Sequence, residues 1–299
     1  MNFQFPNNLL LFFTTIWLVP YGIFAQPNNS VEARINVISA NIRVALKSDE
    51  EKGHGWDSRK ELTFEVIREQ NPDIICLQEV LRVQNEDFKE AFPDFFSFGF
   101  EGPEMDAFDD DEYHFIAKNP ILFNINKFDF ISGGTYWLSE TPHIGGSKGW
   151  GAARARNVNW VRLKEKSSQK VFRILNTHFD HISEDARLKE AEMIIDETNQ
   201  YPTRFPQILT GDFNAEFNSA PINFLKTAWT DSYFNVHGKD SGFTSHGFKG
   251  ENSDSKKGRI DFIFFRGPIK ASSAKVIKDN RSGFYPSDHY FIKSELILE

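Results

Sequence analysis

Six short stretches dense in Ile, Val, Leu and Phe, at residues 35–39, 74–77, 158–163, 171–175, 207–210 and 260–265, constrain the fold more than any other feature of this chain. Apolar runs of this length, bounded by polar or turn-forming residues, read as buried β-strands. Only two segments carry helical spacing. Residues 57–70 place Leu62, Val66 and Ile67 on one side, and Pro72 stops the segment. Residues 183–200 place Leu188, Ala191, Ile194 and Ile195 on one stripe, with Ser183 as N-cap and Glu184 and Asp185 in the first turn. Strands that outnumber helices, all rich in apolar residues, predict an α+β protein of two sheets packed face to face with helices outside.

The chain has 299 residues, 40% of them hydrophobic and 25% charged, which supports a substantial core. No internal repeat or low-complexity linker divides it, so residues 26–299 are read as one domain. Ahead of that domain, residues 9–25 are almost wholly apolar and uncharged, and they end Ile23-Phe24-Ala25 before the polar Gln26-Pro27-Asn28. Residues 1–25 therefore read as a signal peptide cut after Ala25, which places the mature protein outside the cytoplasm, secreted or periplasmic, with no transmembrane anchor. Pro20 and Gly22 interrupt the stretch and leave it short for a membrane span. The lone cysteine, Cys76, lies inside an apolar run and reads as a buried small hydrophobe. A formal net charge of -8 argues against charge-driven binding of long nucleic acid.

The informative polar residues share one position in this pattern: each sits at or just past the end of an apolar run. Asn41 follows the first and Glu79 the second. His178 and Asp180 close Ile174-Leu175-Asn176-Thr177-His178-Phe179-Asp180. Asp212 and Asn214 close Leu209-Thr210-Gly211-Asp212-Phe213-Asn214. Asp261 lies in Arg259-Ile260-Asp261-Phe262, and Asp288 and His289 precede a final strand. Taken singly, each has a plain structural reading, because Asp and Asn form turns and a lone histidine is usually a hydrogen-bonded one. Together they form a set of carboxylates, amides and imidazoles on rigid strand ends, with the hard oxygen donors that suit Mg2+ or Mn2+. No zinc-spaced Cys/His cluster and no Gly-x-Ser-x-Gly elbow is present.

The ordered set Asn41, Gln78-Glu79, Thr177-His178, Gly211-Asp212-Phe213-Asn214, Ile260-Asp261 and Ser287-Asp288-His289 resembles the endonuclease/exonuclease/phosphatase family over nearly the whole mature chain. The stretch Trp137-Leu138-Ser139-Glu140-Thr141-Pro142 is similar to a bacterial branch of that family. The resemblance implies a four-layer αββα sandwich of two mostly antiparallel sheets, with the site at one edge, and a Mg2+-dependent (or Mn2+-dependent) hydrolase of phosphate esters. It also implies roles. Glu79, Asn41 and Asp288 would serve the metal, and Asp212 would deprotonate the attacking water. Asn214 would hold a phosphate oxygen, His178 would donate to the phosphoryl group, and His289 would act there, oriented by Asp261. Phe123 stands where many relatives carry a tyrosine, which would leave the site without that phenol.

Arg154 and Arg156 follow a Gly-rich loop and are candidates to contact substrate phosphate. Trp150, Trp137 and Trp56 either stack on substrate or pack in the core. The acidic run 109–112 reads as a solvated loop, and Asp180 and Arg187 read as a structural pair. The expected partner is a phosphate-ester substrate, whether a small molecule, a lipid head group or a nucleic acid, with no stable protein partner. The alternatives are a nuclease, and a binding protein on an inactive scaffold. N-terminal sequencing of the exported protein is expected to begin at or near Gln26, and an intact Met1 on a cytoplasmic protein would overturn the export reading.

Overall fold

In the computed structural model, which describes Met1 and residues 32–101, 118–254 and 258–299, the apolar runs become the interior strands of two sheets. The proposed signal peptide and the acidic run 109–112 lie outside the described residues. In chain order the elements are β1 (Ala33–Asn41), α1 (Lys47–Glu50), α2 (Trp56–Arg68), β2 (Ile74–Gln78), α3 (Arg82–Ala91), β3 (Phe95–Phe98), β4 (Ile121–Asn124), β5 (Phe128–Trp137), β6 (Asn157–Glu165), β7 (Val171–His178), α4 (Glu184–Thr198), β8 (Gln207–Asp212), α5 (Ala220–Leu225), β9 (Thr230–Asp231), α6 (Ser232–His237), β10 (Asp261–Arg266), β11 (Ile269–Ile277) and β12 (Phe291–Leu298).

One sheet has the order β11-β12-β1-β2-β4-β3 and the other β5-β6-β7-β8-β10-β9. Each contains a single parallel pair, β1 with β2 and β7 with β8, and all other pairings are antiparallel. A parallel pair needs a long crossover, and a helix supplies it in both places: α2 between β1 and β2, α4 between β7 and β8. Three apolar clusters define four layers. One lies between the sheets and joins Ile35, Val37, Ile74 and Phe123 to Phe172, Ile174, Ile208 and Ile263. A second packs the outer face of the first sheet (Ile38, Ile75, Leu77) against Phe64, Val66 and Ile67 of α2 and Phe88 of α3. The third packs Leu175, Leu209, Phe262 and Phe264 against Ala191, Ile194 and Ile195 of α4. The fold is the expected αββα sandwich. Its central strands are buried on both faces, which is why they read as unbroken apolar runs. Among the described residues no helix is long and apolar enough to cross a membrane.

The parallel pairs bring the C-terminal ends of β1, β2, β7 and β8 to one edge, together with the N-terminal ends of β10 and β12. A polar network between the sheets fixes this edge. Gln78 donates from Nε2 to Asn176 Oδ1 at 2.7 Å across the interface, and Asn176 donates from Nδ2 to the carbonyls of Leu77, Asn119 and Pro120. Thr210 donates to the same Asn176 Oδ1 at 3.1 Å. At Gly211 an added Cβ would stand 2.4 Å from the Thr177 carbonyl oxygen, so only glycine lets β8 lie this close to β7 one residue before Asp212. Cys76 is fully buried between the sheets and burial pushes its thiol up to about 12, so it packs as a hydrophobe.

Arg59 of α2 locks the loops that carry the site. Its buried guanidinium donates to the carbonyls of His54, Ile42, Pro286 and Arg43 at 2.6–2.9 Å, tying the chain after β1 to the chain before β12. Burial lowers its pKa to about 10, which leaves it charged at neutral pH. Truncation in Arg59→Ala strands several buried carbonyls, each costing about 1–3 kcal/mol. For a chain of this size the melting temperature is expected to fall by roughly 10 °C. A thermal melt within about 2 °C of the parent would show that the lock contributes little.

Candidate active site

Asn41, the last residue of β1, links the two sheets at their shared edge. Its side-chain amide donates to Glu79 Oε1 at 3.1 Å and to Asp212 Oδ2 at 3.0 Å, and its Oδ1 accepts the Arg43 backbone N–H. Glu79, one residue past β2, also accepts the Val44 N–H at 3.0 Å. From the other sheet, His178 ends β7, Asp212 ends β8, and Asp261 opens β10 directly opposite Asp212. His289 lies just before β12, and its Nδ1 meets Asp261 Oδ2 at 3.0 Å. The Nε2 atoms of His178 and His289 lie 3.5 and 3.9 Å from Asp212 Oδ2. Glu79, His178, Asp212 and His289 border one cleft of about 500 Å3, which Arg43, Arg154, Arg156, His181 and Asp288 also line.

The electrostatics divide the site. Burial alone would disfavour the Glu79 carboxylate, but the Val44 N–H, Arg43 and Asn41 overcome it and hold its pKa below the ordinary value. Asp212 goes the other way: burial, and then the neighbouring Asp261 charge, push it up to about 7. Burial, with Glu79 adding to it against His289, also raises Asp288. Burial would deprotonate His289, yet Asp261, Asp212 and Asp288 raise it to about 10, so it is an imidazolium at neutral pH. His178 is held far below its usual value by burial, with Arg156 next, and is neutral.

This geometry refines several expected roles. Asn214 donates from Nδ2 to the Phe179 carbonyl at 3.0 Å, and the same nitrogen lies 3.0 Å from His178 Nε2, which accepts from it in the tautomer that carries its proton on Nδ1. Arg156 is buried at the cleft wall, 3.3 Å from His181 Nδ1. Trp150 is not brought to the cleft: it lines a separate depression with Tyr136, Pro142 and Met193 of α4, because its loop turns toward that helix. Trp137 is fully buried, and Trp56 donates to Asp87. Phe123 packs between the sheets against Phe130, remote from the cleft lining, so its lack of a hydroxyl does not bear on the site. Asp180 does not pair with the Arg187 guanidinium through its carboxylate. That carboxylate takes the N–H groups of Ala153, Arg154, Ile182 and Ser183, and Arg187 donates to the Asp180 carbonyl. Arg43 and His181 escaped the sequence reading. Their one signal is proximity, two residues past Asn41 and one past Asp180.

A divalent cation fits the donor set. Burial raises both Asp212 and Asp288, with the Asp261 charge adding to it at Asp212 and the Glu79 charge at Asp288, and a cation would offset both effects. Asp212, Asp261 and His289 also bring ligand-type atoms within 4.8 Å of one another. A protonated His289 has no lone pair to offer, however, so that group suits proton and charge chemistry better than it suits a cation.

A two-sheet sandwich with carboxylates and imidazoles gathered at one strand edge marks the class of metal-dependent phosphoester hydrolases. Residues 38–289 match the Endonuclease/Exonuclease/phosphatase family, and the chain belongs to it. Similar solved structures include a family protein from Bacteroides thetaiotaomicron, 30% identical, covering 90% of this chain and 99% of that one with a TM-score of 0.77. A mannosyl-6-phosphatase from the same organism is also 30% identical, covering 88% of this chain and 99% of that one, with a TM-score of 0.75. An uncharacterised mimivirus protein is 27% identical over 61% of this chain and 68% of its own length.

The Asp261–His289 contact yields a signed prediction. His289 binds its proton more tightly in the folded protein, so this pair adds its full stability below the unfolded histidine pKa, about 6.5, and loses it as pH rises through about 10. In Asp261→Asn the largest favourable partner is gone and burial dominates. NMR titration of the imidazole is expected to show a much lower His289 pKa, and an unchanged value would refute the pairing.

Proposed function

We propose that this chain is a secreted, Mg2+-dependent phosphoesterase that hydrolyses a phosphomonoester or phosphodiester by attack of water at phosphorus. One observation carries the reading: Asp212, bonded through Asn41 to Glu79 of the other sheet, lies within 4 Å of two imidazoles of opposite charge state. Asp212 is the proton acceptor for the attacking water. Its pKa near 7 suits a base that works at neutral pH, and the Asn41 amide and the Asn214 N–H fix its orientation. As the water oxygen bonds to phosphorus, its proton passes to Asp212 and the bond to the ester oxygen breaks. His289, kept protonated by Asp261, faces the negative charge that gathers on the non-bridging oxygens. Arg156 and Arg154, which also line the cleft, add positive charge there.

Glu79, Asp288 and Asn41 would hold the Mg2+, which when bound supplies Lewis-acid charge to the phosphoryl oxygens. The mannosyl-6-phosphatase neighbour supports a small phosphomonoester among the possible substrates. The net charge of -8 weighs against long nucleic acid, and the gathering of Glu79, His178, Asp212, Asn214, Asp288 and His289 around one cleft weighs against an inactive binding protein. Assay of the purified protein on p-nitrophenyl phosphate and bis-p-nitrophenyl phosphate is expected to show turnover that EDTA abolishes and Mg2+ or Mn2+ restores. Asp212→Asn should lower kcat by about a hundredfold or more with little change in melting temperature. Full activity after chelation, or in the folded Asn variant, would overturn the mechanism.

A further inference from the structure

Beside the cleft lies a second depression of about 480 Å3, between the N-terminal turn of α4 and the loop from β8 to α5. The two spaces share His181, Asn214 and Ile260 as lining residues, so a ligand whose phosphate sits at Asp212 can extend directly into the second. Its far wall differs in chemistry from the cleft. Glu184 and Glu216 are exposed on it, and neither carboxylate has a hydrogen bond or ion pair among the described residues. Asn218 adds an exposed amide. Arg187, the one permanent cation among the described residues lining this wall, already donates to the Asp180 carbonyl.

On the reading of the cleft given above, we propose that this depression is the leaving-group site and that it takes an uncharged, hydroxyl-rich group, so that the substrate is a sugar phosphate. Free carboxylates accept hydrogen bonds from vicinal hydroxyls, and an amide both donates and accepts. The same carboxylates repel a second phosphate, which disfavours an oligonucleotide. A quaternary ammonium head group needs an aromatic cage, and no aromatic ring other than the His181 imidazole is among the lining residues described.

Steady-state kinetics on the full chain with Mg2+ test this, using mannose 6-phosphate, p-nitrophenyl phosphate, a dinucleotide and p-nitrophenyl phosphorylcholine. The parent is expected to prefer the sugar phosphate. Glu184→Gln and Glu216→Gln should each lower kcat/KM for it about tenfold, mainly through KM, as loss of a charged hydrogen bond implies. Turnover of p-nitrophenyl phosphate should stay within about twofold, because its leaving group carries no hydroxyl for either carboxylate to bind. Unchanged sugar-phosphate kinetics in both variants, or a parent that prefers the dinucleotide or the choline ester, overturns the assignment while leaving the cleft chemistry standing. A parent that hydrolyses none of the four esters overturns the reading of the cleft and this inference with it.

Discussion

The site depends on holding the edges of two separate sheets in register, and the Gln78–Asn176 contact does this. Apolar packing between sheets is non-directional and tolerates sliding, whereas a buried amide pair has fixed donors and acceptors and loses them on any shift. Gln78 ends β2 directly before Glu79, and Asn176 lies two residues before His178. The 2.7 Å bond between them therefore sets the distance between the Glu79 carboxylate and the strand that carries the neutral imidazole. Asn176 spends both amide hydrogens on backbone carbonyls of the first sheet, so the second sheet is referenced to main chain and not only to side chains.

Within that frame, similar side chains acquire opposite states. Glu79 and Asp212 share one bridging amide, yet Glu79 is held ionised by a backbone N–H and Arg43 while Asp212 is pushed up by burial and Asp261. His178 and His289 flank the same Asp212 oxygen, but only His289 has a carboxylate of its own. Neighbouring groups forced apart in pKa are what acid–base and charge-stabilising chemistry requires at a single pH.

How far this could be read from the sequence follows from where each strand sits. The six apolar runs became β1, β2, β6, β7, β8 and β10, all interior strands of their sheets. The four edge strands, β3, β5, β9 and β11, escaped notice because one face is solvated or the strand is only two residues long. β11 mixes buried and exposed positions, and a register shift at Ser272 leaves Ser272 and Ser273 both exposed between buried Ala271 and Ala274. Helix α3 was missed for a different reason. It has one strong apolar anchor, Phe88, and is otherwise held by Gln84, which accepts the N–H groups of Leu81 and Ala45 and donates to the Arg43 carbonyl. Such polar anchoring leaves no periodic apolar signal. The polar residues that meet at the candidate site were legible because strand ends mark them. Which of them touch was not, since Asn41 to Asp212 and Asp261 to His289 are contacts between segments 171 and 28 residues apart.

Backbone conformation shows why the site needs such support. Arg43, Glu79 and Asn214 all adopt positive φ, at 58°, 62° and 45°, although none is glycine. Each costs on the order of 1–3 kcal/mol when unsupported. All three are held by directed bonds: Arg43 by the Asn41 Oδ1 and the Asp49 carboxylate, Glu79 by Asn41 and the Val44 N–H, Asn214 by Asp212, Phe179 and His178. The left-handed turn at Glu79 follows immediately after β2, so the carboxylate enters the cleft and does not continue along the strand into the fully buried interior. Strand ends that must turn functional groups back toward a shared edge accept this strain, and Asn41 sits at the centre of the bonds that offset it. The residue that joins the sheets thereby also holds the strained turn at Glu79 and the orientation of Asp212.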